Sequence, residues 1–290
     1  MNADEQKLFP GSYFISNVID AAEVKAQMSR RIVTVYLMRA AMAGFLIGVF
    51  YLANYAVISA FSAIDPALTG VGKFVGAIVF GFALVFIYFS KSELLTSNMM
   101  ITTIAVYFKR MRVRRAALIM TLSWFGNFLG GVLVALLVKG SSVLDGATGE
   151  AVMHSIDTKL GYLDSASGVM DLLVRAIFCN FLINIAMLLV YNGFVKSEGV
   201  KVVAMNVAVM LFAFLGFEHS VANTVFFTTV GIGNGIAVWP AIGNVCIALI
   251  GNFIGGGLLI GWYYAFINDP MRHLGNESSI CAPASESMEG

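Results

Sequence analysis

Long apolar runs separated by short polar stretches set the pattern of this chain. After residue 38 six runs follow one another, each long enough for a helix of about 20 residues to cross a hydrocarbon core. The pattern predicts spans at about 39–58, 72–108, 116–138, 168–192, 202–239 and 241–267. Two of them are interrupted. In the second, the run to Phe89 meets SKSELLTSN, Ser90 to Asn98, and resumes from Met99 to Phe108. In the fifth, GFEHSVAN, Gly216 to Asn223, places a glutamate, a histidine and an asparagine inside apolar sequence. Ionisable groups at that depth face a cavity or a pathway rather than lipid. Irregular backbone survives there only where protein or a wet cavity satisfies it.

The two interruptions are copies of one pattern. GNFLGG (Gly126 to Gly131) returns as GNFIGG (Gly251 to Gly256), at an offset of 125 residues. The same offset carries Glu93 onto Glu218, Asn98 onto Asn223 and Asn127 onto Asn252. Three spans per half is an odd number, so the second half inserts inverted relative to the first. Inverted repeats with discontinuous helices belong to transporters and channels. The glycines allow close helix contact in lipid.

The ends of the runs carry the charge. Lys109 to Arg115, KRMRVRR, holds five basic residues in seven and reads as a cytoplasmic topology anchor. Arg30, Arg31, Lys196, Lys201 and Arg272 fall on the same side, which puts both termini and the tail 268–290 inside. Lys139 to Ser167 reads as a mixed-charge external segment, with an external turn at Trp239-Pro240 before the sixth span. Over residues 1–38, Phe14, Val18, Ala21, Val24 and Met28 recur at helical spacing. They suit an amphipathic helix along the membrane or a neighbouring subunit, or equally a solvated tail. Arg175 stands four residues after Asp171, the spacing of a helical ion pair.

Composition agrees: 59% of the 290 residues are hydrophobic and 12% charged, against about a quarter charged in soluble domains. The net charge of +1 and the absence of a basic face give no nucleic-acid partner. Cys179, Cys246 and Cys281 show no disulfide or metal spacing, and the three histidines are scattered, so no metal or cofactor is expected. With one histidine in the spans and no nucleophile–base set, an intramembrane enzyme is the remote alternative.

Taken together, ELLTSN (Glu93 to Asn98), GNFLGG, FCNFLI (Phe178 to Ile183), GFEHSVAN and IGNFIGGGLLIG (Ile250 to Gly261) make the chain resemble the formate–nitrite transporter family from the first span to the sixth. The resemblance implies an all-α, aquaporin-like protomer of six transmembrane helices, assembled as a homopentamer with one pore each. It implies passage of small monovalent anions or their conjugate acids through the cell membrane, formate and nitrite first, with hydrosulfide, lactate and acetate as alternatives. Carried over position by position, it makes His219 the central pore residue, with Thr96 and Asn252 as its partners. Phe80, Leu84 and Phe212 match an outer apolar ring, Leu94 an inner one, and Lys159 and Asn180 a vestibule lysine and the asparagine near it. The link between the fifth and sixth spans is shorter than in formate-transporting members with a long segment there, which leaves the substrate open.

A bare anion leaving water without partners crosses an apolar ring at high cost, whereas a neutral weak acid does not. The expected mechanism therefore draws the anion in at Lys159 and favours its protonated form in the ring. His219 then donates the proton or serves as a positive waypoint, since imidazole titrates near neutral pH. Glu93 and Glu218 are expected to be structural, accepting backbone N–H groups at the breaks, with Asn98 and Asn223 beside them. A neutral-solute or water pore is the competing transport reading, opposed by the histidine and the apolar rings.

Overall fold

The computed structural model describes residues 7–275, and among these the fold is built from helices without strands. Cys281 and most of the tail 268–290 lie outside the described residues. Ten helices carry the architecture: α1 Ser12–Arg31, α2 Val33–Ile64, α3 Thr69–Phe89, α4 Leu95–Tyr107, α5 Val113–Lys139, α6 Ala147–Gly161, α7 Ala166–Tyr191, α8 Glu198–Phe214, α9 Ser220–Gly233 and α10 Val238–Asn252. From Phe253 to Trp262 the last of these loosens into π-helical pairing and then tightens again to Ile267. Five segments are long and apolar enough to cross a membrane: Val33–Ile64, Pro66–Phe89, Val113–Lys139, Ala166–Tyr191 and Val238–Ile267. The shorter Ser220–Gly233 is also apolar. The chain is a multi-pass helical membrane protein.

The 125-residue repeat is visible in the packing. In the first half α2 lies against α3 and α5; in the second, α7 lies against α8 and α10. The short helices cross over. α4 packs on the π-helical stretch of the second half, and α9 packs on α5 of the first. Each half therefore supplies a wall to the other. Glycines set the closest approaches, because a Cβ on Gly130 would strike the Ala41 carbonyl and one on Gly255 the Ile177 carbonyl.

Several boundaries differ from the hydropathy pattern. α2 begins at Val33 rather than 39, since Arg39 does not end the helix: its guanidinium reaches back to Met28 Sδ at 3.4 Å. Trp239 and Pro240 do not form a turn. They sit in the first turn of α10, where proline costs no hydrogen bond, and the chain reverses at 234–237 instead. The segment after Lys139 contains α6, whose Val152 and Ile156 are buried. Their spacing, with Leu160 one turn on, was a helical signal masked by the interleaved charges.

α1 packs against its own protomer rather than trailing as a solvated tail, with Phe14, Val18, Ala22 and Met28 buried. Val24 from the same stripe is exposed and lines a cavity at the mouth of the protein.

Candidate functional site

Both short helices start from a non-helical linker, and the two linkers are built alike. Leu94, extended, precedes α4; His219, extended, precedes α9. Leu94 thus occupies in the first repeat the position that His219 holds in the second. The Glu93 amide donates to the Arg39 carbonyl, and the Glu218 amide to the Arg175 carbonyl. Asn127 Nδ2 donates to the carbonyls of Glu93 and Ala40, both at 2.8 Å, while its Oδ1 accepts from Leu95 N at 3.2 Å. Asn252 repeats this with Glu218 O (3.0 Å), Ala176 O (2.8 Å) and Ser220 N (2.8 Å). Each asparagine stitches a broken backbone to its neighbours and satisfies groups that hydrocarbon would leave unpaired. Gly216, at φ +67°, makes the reversal that ends α8.

The glutamate side chains are also matched, though not as expected. Neither carboxylate accepts a backbone N–H among the contacts seen. Glu218 is held by Lys159 Nζ at 2.7 and 2.8 Å and by Asn223 Nδ2 at 2.6 Å. Glu93 is held by Lys25 Nζ and by Asn98 Nδ2, the latter at 3.2 Å. A buried carboxylate needs a cation, and two extra helices bring one to each: α1 supplies Lys25 and α6 supplies Lys159. Burial alone would lower the Lys159 ammonium, but the Glu218 carboxylate beside it holds it above the ordinary lysine range. Lys159 is therefore charged and also spoken for. Lys25 carries no motif, and nothing in the sequence marks it as the partner of Glu93, 68 residues away.

The linkers meet at Thr96 and His219. Thr96 Oγ1 lies 3.1 Å from His219 Nε2, and Ala222 N donates to His219 Nδ1 at 2.9 Å. Because Nδ1 accepts a hydrogen bond, the ring hydrogen belongs on Nε2, facing Thr96. Two helix N-termini, those of α4 and α9, converge here, and their dipoles favour negative charge between them. Asn252 makes no hydrogen bond to the histidine; it holds the neighbouring backbone. Asn180 is likewise not beside Lys159: its Nδ2 donates to Thr96 O (3.2 Å) and Asn252 O (2.7 Å), one end of a buried pair with Asn184. Residue number along α7 gave no warning of this, because Asn180 is carried deep into the core.

Three cavities lie in sequence around the pair. On the α1 side a space of about 270 Å³ is bordered by Lys25, Arg39, Lys91, Glu93, Leu84, Ile87 and Leu94. On the α6 side one of about 290 Å³ is bordered by Tyr55, Lys73, Lys159, Arg175, Phe80, Phe212 and His219. Between them is a chamber of about 20 Å³, room for about one water molecule. It shares Leu84, Ile87 and Leu94 with the first cavity and Phe80, Phe212 and His219 with the second. Leu84 therefore borders the central chamber together with Phe80 and Phe212, and reaches the α1-side cavity together with Leu94. Phe212 stacks on His219 at 5.9 Å and meets Phe80 edge-on at the same distance. Arg175 pairs with Asp171 at 2.9 Å and borders the α6-side cavity as well.

Residues 12–266 match the family model described as "Formate/nitrite transporter". The chain belongs to the formate/nitrite transporter family. Among its relatives, the "Uncharacterized transporter YrhG" of Bacillus subtilis is 30% identical over 76% of this chain and 82% of its own length. The "Nitrite transporter NirC" of Escherichia coli is 27% identical over 76% of this chain and 81% of its own. The "Formate channel BtFdhC" of Bacillus thuringiensis is 30% identical over 65% of this chain and 71% of its own. In fold, the chain superposes on an "FNT family ion channel" with a TM-score of 0.77 at 24% identity, over 88% of this chain and 98% of that one. A "Pentameric formate channel with formate bound" gives 0.64 at 21% identity, over 82% and 98%. The family is one of transporters.

Proposed function

We propose that this formate/nitrite transporter family member passes small monovalent anions across the cell membrane together with a proton, in effect as the neutral acid, with His219 in the pathway. The observation that carries the reading is the row of three cavities, with His219 facing both the central chamber and the α6-side cavity. Family membership and relatives named for nitrite and formate favour those two substrates. A chamber of about one water's volume suits an anion of a few heavy atoms better than lactate.

In this reading α3–α4 and α8–α9 each make one interrupted crossing, giving six spans in two inverted halves. The α1 side is cytoplasmic, since the basic run Lys109 to Arg115 lies there beside the last turn of α1. The protomers assemble as a homopentamer, in keeping with the pentameric channel of like fold. The anion enters from either cavity, attracted by cations that exceed the carboxylates on its wall. Phe80 and Phe212 on one side, and Leu84, Ile87 and Leu94 on the other, oppose a charged species and admit a neutral one. Glu93 and Glu218 hold the two mouths in shape, as do Asn98 and Asn223. The Nε2–H of His219 is the donor offered to a solute in the chamber. A proton travelling through the ring would put hydrogen on both nitrogens, breaking the Ala222 bond and placing a charge in a buried site, and both effects disfavour a resting imidazolium.

The test is flux into liposomes that hold a pH dye, under gradients of formate, nitrite, hydrosulfide and lactate at two external pH values. The expected result is faster flux at lower pH, with acidification of the lumen. Net current without acidification would sink the neutral-acid reading. Unchanged flux in His219→Phe would remove the histidine from the mechanism and leave the apolar closures standing.

A further inference from the structure

A fourth cavity, of about 480 Å³, lies away from the pathway, between the last turn of α1 and the start of α5. Its wall is Arg30, Arg31, Arg110, Arg112 and Arg115, completed by Ala26, Gln27 and Met111, and no carboxylate lines it. Two of the five arginines have structural work. Arg110 holds Glu23 of α1 at 2.7 Å, and Arg115 donates to the Ala26 carbonyl. These bonds clamp α1 to α5 and so fix the shape of the cavity. Arg30, Arg31 and Arg112 have no ion-pair partner among the described residues. Arg30 and Arg31 also complement the C-terminal end of α1, which leaves their charge unneutralised.

Arg112 is the N-cap of α5, a helix that opens without an acidic residue in its first turn and without a side-chain cap. Convergent guanidinium groups beside a helix start with no acidic compensation together define an anion site. The repeat shows that the scaffold does not require it, because the matching start of α10, Ala237 to Ala241, carries no charge. Five arginines rather than lysines suit a tetrahedral oxyanion, whose oxygens accept paired N–H donors from a planar fork. Beyond the cavity α5 presents an exposed apolar stripe of Leu118, Phe125, Leu129 and Leu133. Those residues recur at helical spacing along the membrane-crossing segment.

We propose that this cavity binds the phosphate of an anionic phospholipid, with Arg30, Arg31 and Arg112 on the headgroup and the acyl chains along the α5 stripe. A soluble phosphate would use the same arginines but would have no use for the stripe, which favours the lipid. The site lies at the membrane surface, where basic pockets between helices collect acidic headgroups.

The experiment is native mass spectrometry of the assembled, detergent-purified protein, exposed in parallel to phosphatidylglycerol and phosphatidylcholine. Arg31→Gln/Arg112→Gln removes two headgroup contacts and leaves both α1 clamps intact. Arg114→Gln, in the same basic run but outside the cavity, removes charge without touching the site. Selective retention of phosphatidylglycerol is expected, weakened roughly tenfold or more in the double variant and unchanged in Arg114→Gln. Inorganic phosphate at millimolar concentration should not displace the lipid. Equal retention of the two lipids would overturn the proposal. So would an equal loss in Arg114→Gln, which would reduce the arginines to a general surface charge. Displacement by inorganic phosphate would reassign the site to a soluble ligand. An unchanged elution volume in size exclusion shows that each variant is assembled, so loss of lipid reports on the site.

Discussion

Thr96 Oγ1 and His219 Nε2 stand 3.1 Å apart, and this hydrogen bond joins the two halves of the repeat beside the central chamber that His219 lines. Thr96 gives the Nε2–H somewhere to point when no solute is present. Replacing it by valine keeps the shape and removes the acceptor, leaving a buried donor unpaired at a cost of about 1–3 kcal/mol. Thr96→Val should change proteoliposome flux about tenfold, with Thr96→Ser close to wild type. Equal rates for all three proteins would deny the pair any part in transport.

The Lys159–Glu218 pair is buried, with side-chain exposures of 9% and 3%. Lys159→Met strands a carboxylate and should cost about 3–5 kcal/mol of stability, most of it recovered in Lys159→Met/Glu218→Met. Thermal unfolding of the three proteins in detergent measures this. A Lys159→Met protein as stable as wild type would mean that Asn223 alone suffices to hold the glutamate, or that another cation replaces the lysine.

The pH dependence of that pair has a definite sign. The folded-state value of Lys159 is raised above 10.5, so its contribution is complete below the unfolded value and fades as pH rises through the folded one. Stability measured from neutral pH upward should show no loss from this pair until about pH 10.5. A loss between pH 7 and 9 that is absent from the double variant would contradict the assignment.

Leu84 and Leu94 both border the α1-side cavity and the central chamber, and in the proposed mechanism they form the closure between them. Leu84→Ala should widen it, raising current carried by the bare anion and weakening the dependence of flux on external pH. Phe80→Ala, on the other closure, leaves Leu84 and Leu94 in place and should therefore leak less than the double variant Phe80→Ala/Leu84→Ala. Planar-bilayer recording distinguishes the three.

Gly255 allows α10 to approach the backbone of α7, since any Cβ there would strike the Ile177 carbonyl. Gly255→Leu should separate these helices and lower the yield of assembled protein in size exclusion. Substitution at Gly70, which has nothing around it, should be tolerated.

Polar residues stand out in apolar sequence, which is why His219 could be picked out, and Glu93 with Glu218 and Asn127 with Asn252 paired by their offset, before any fold was known. The non-helical linkers before α4 and α9 fall at those same polar stretches. Contacts between distant segments were less legible. Nothing local ties Lys25 to Glu93, 68 residues away, or places Asn180 against the Thr96 carbonyl. That Leu84 borders the α1-side cavity as well as the chamber of Phe80 and Phe212 was not legible, because apolar residues one turn apart look alike in sequence. α6 was hidden because its buried side chains are outnumbered by charged ones facing outward. Lys159 illustrates the remaining difficulty: its type suggested an open attractor for anions, and only its distance to Glu218 shows the charge already matched.

The correspondence of Leu94 with His219 gives an otherwise duplicated frame a polarity. A solute arriving from the α6 side reaches an imidazole before any aliphatic closure, whereas one arriving from the α1 side meets leucines first. The two directions therefore present their barriers in opposite order. Where solute saturates the chamber, such a path can rectify under equal and opposite gradients, and exchanging the side chains at these two positions would reverse the sense of the asymmetry.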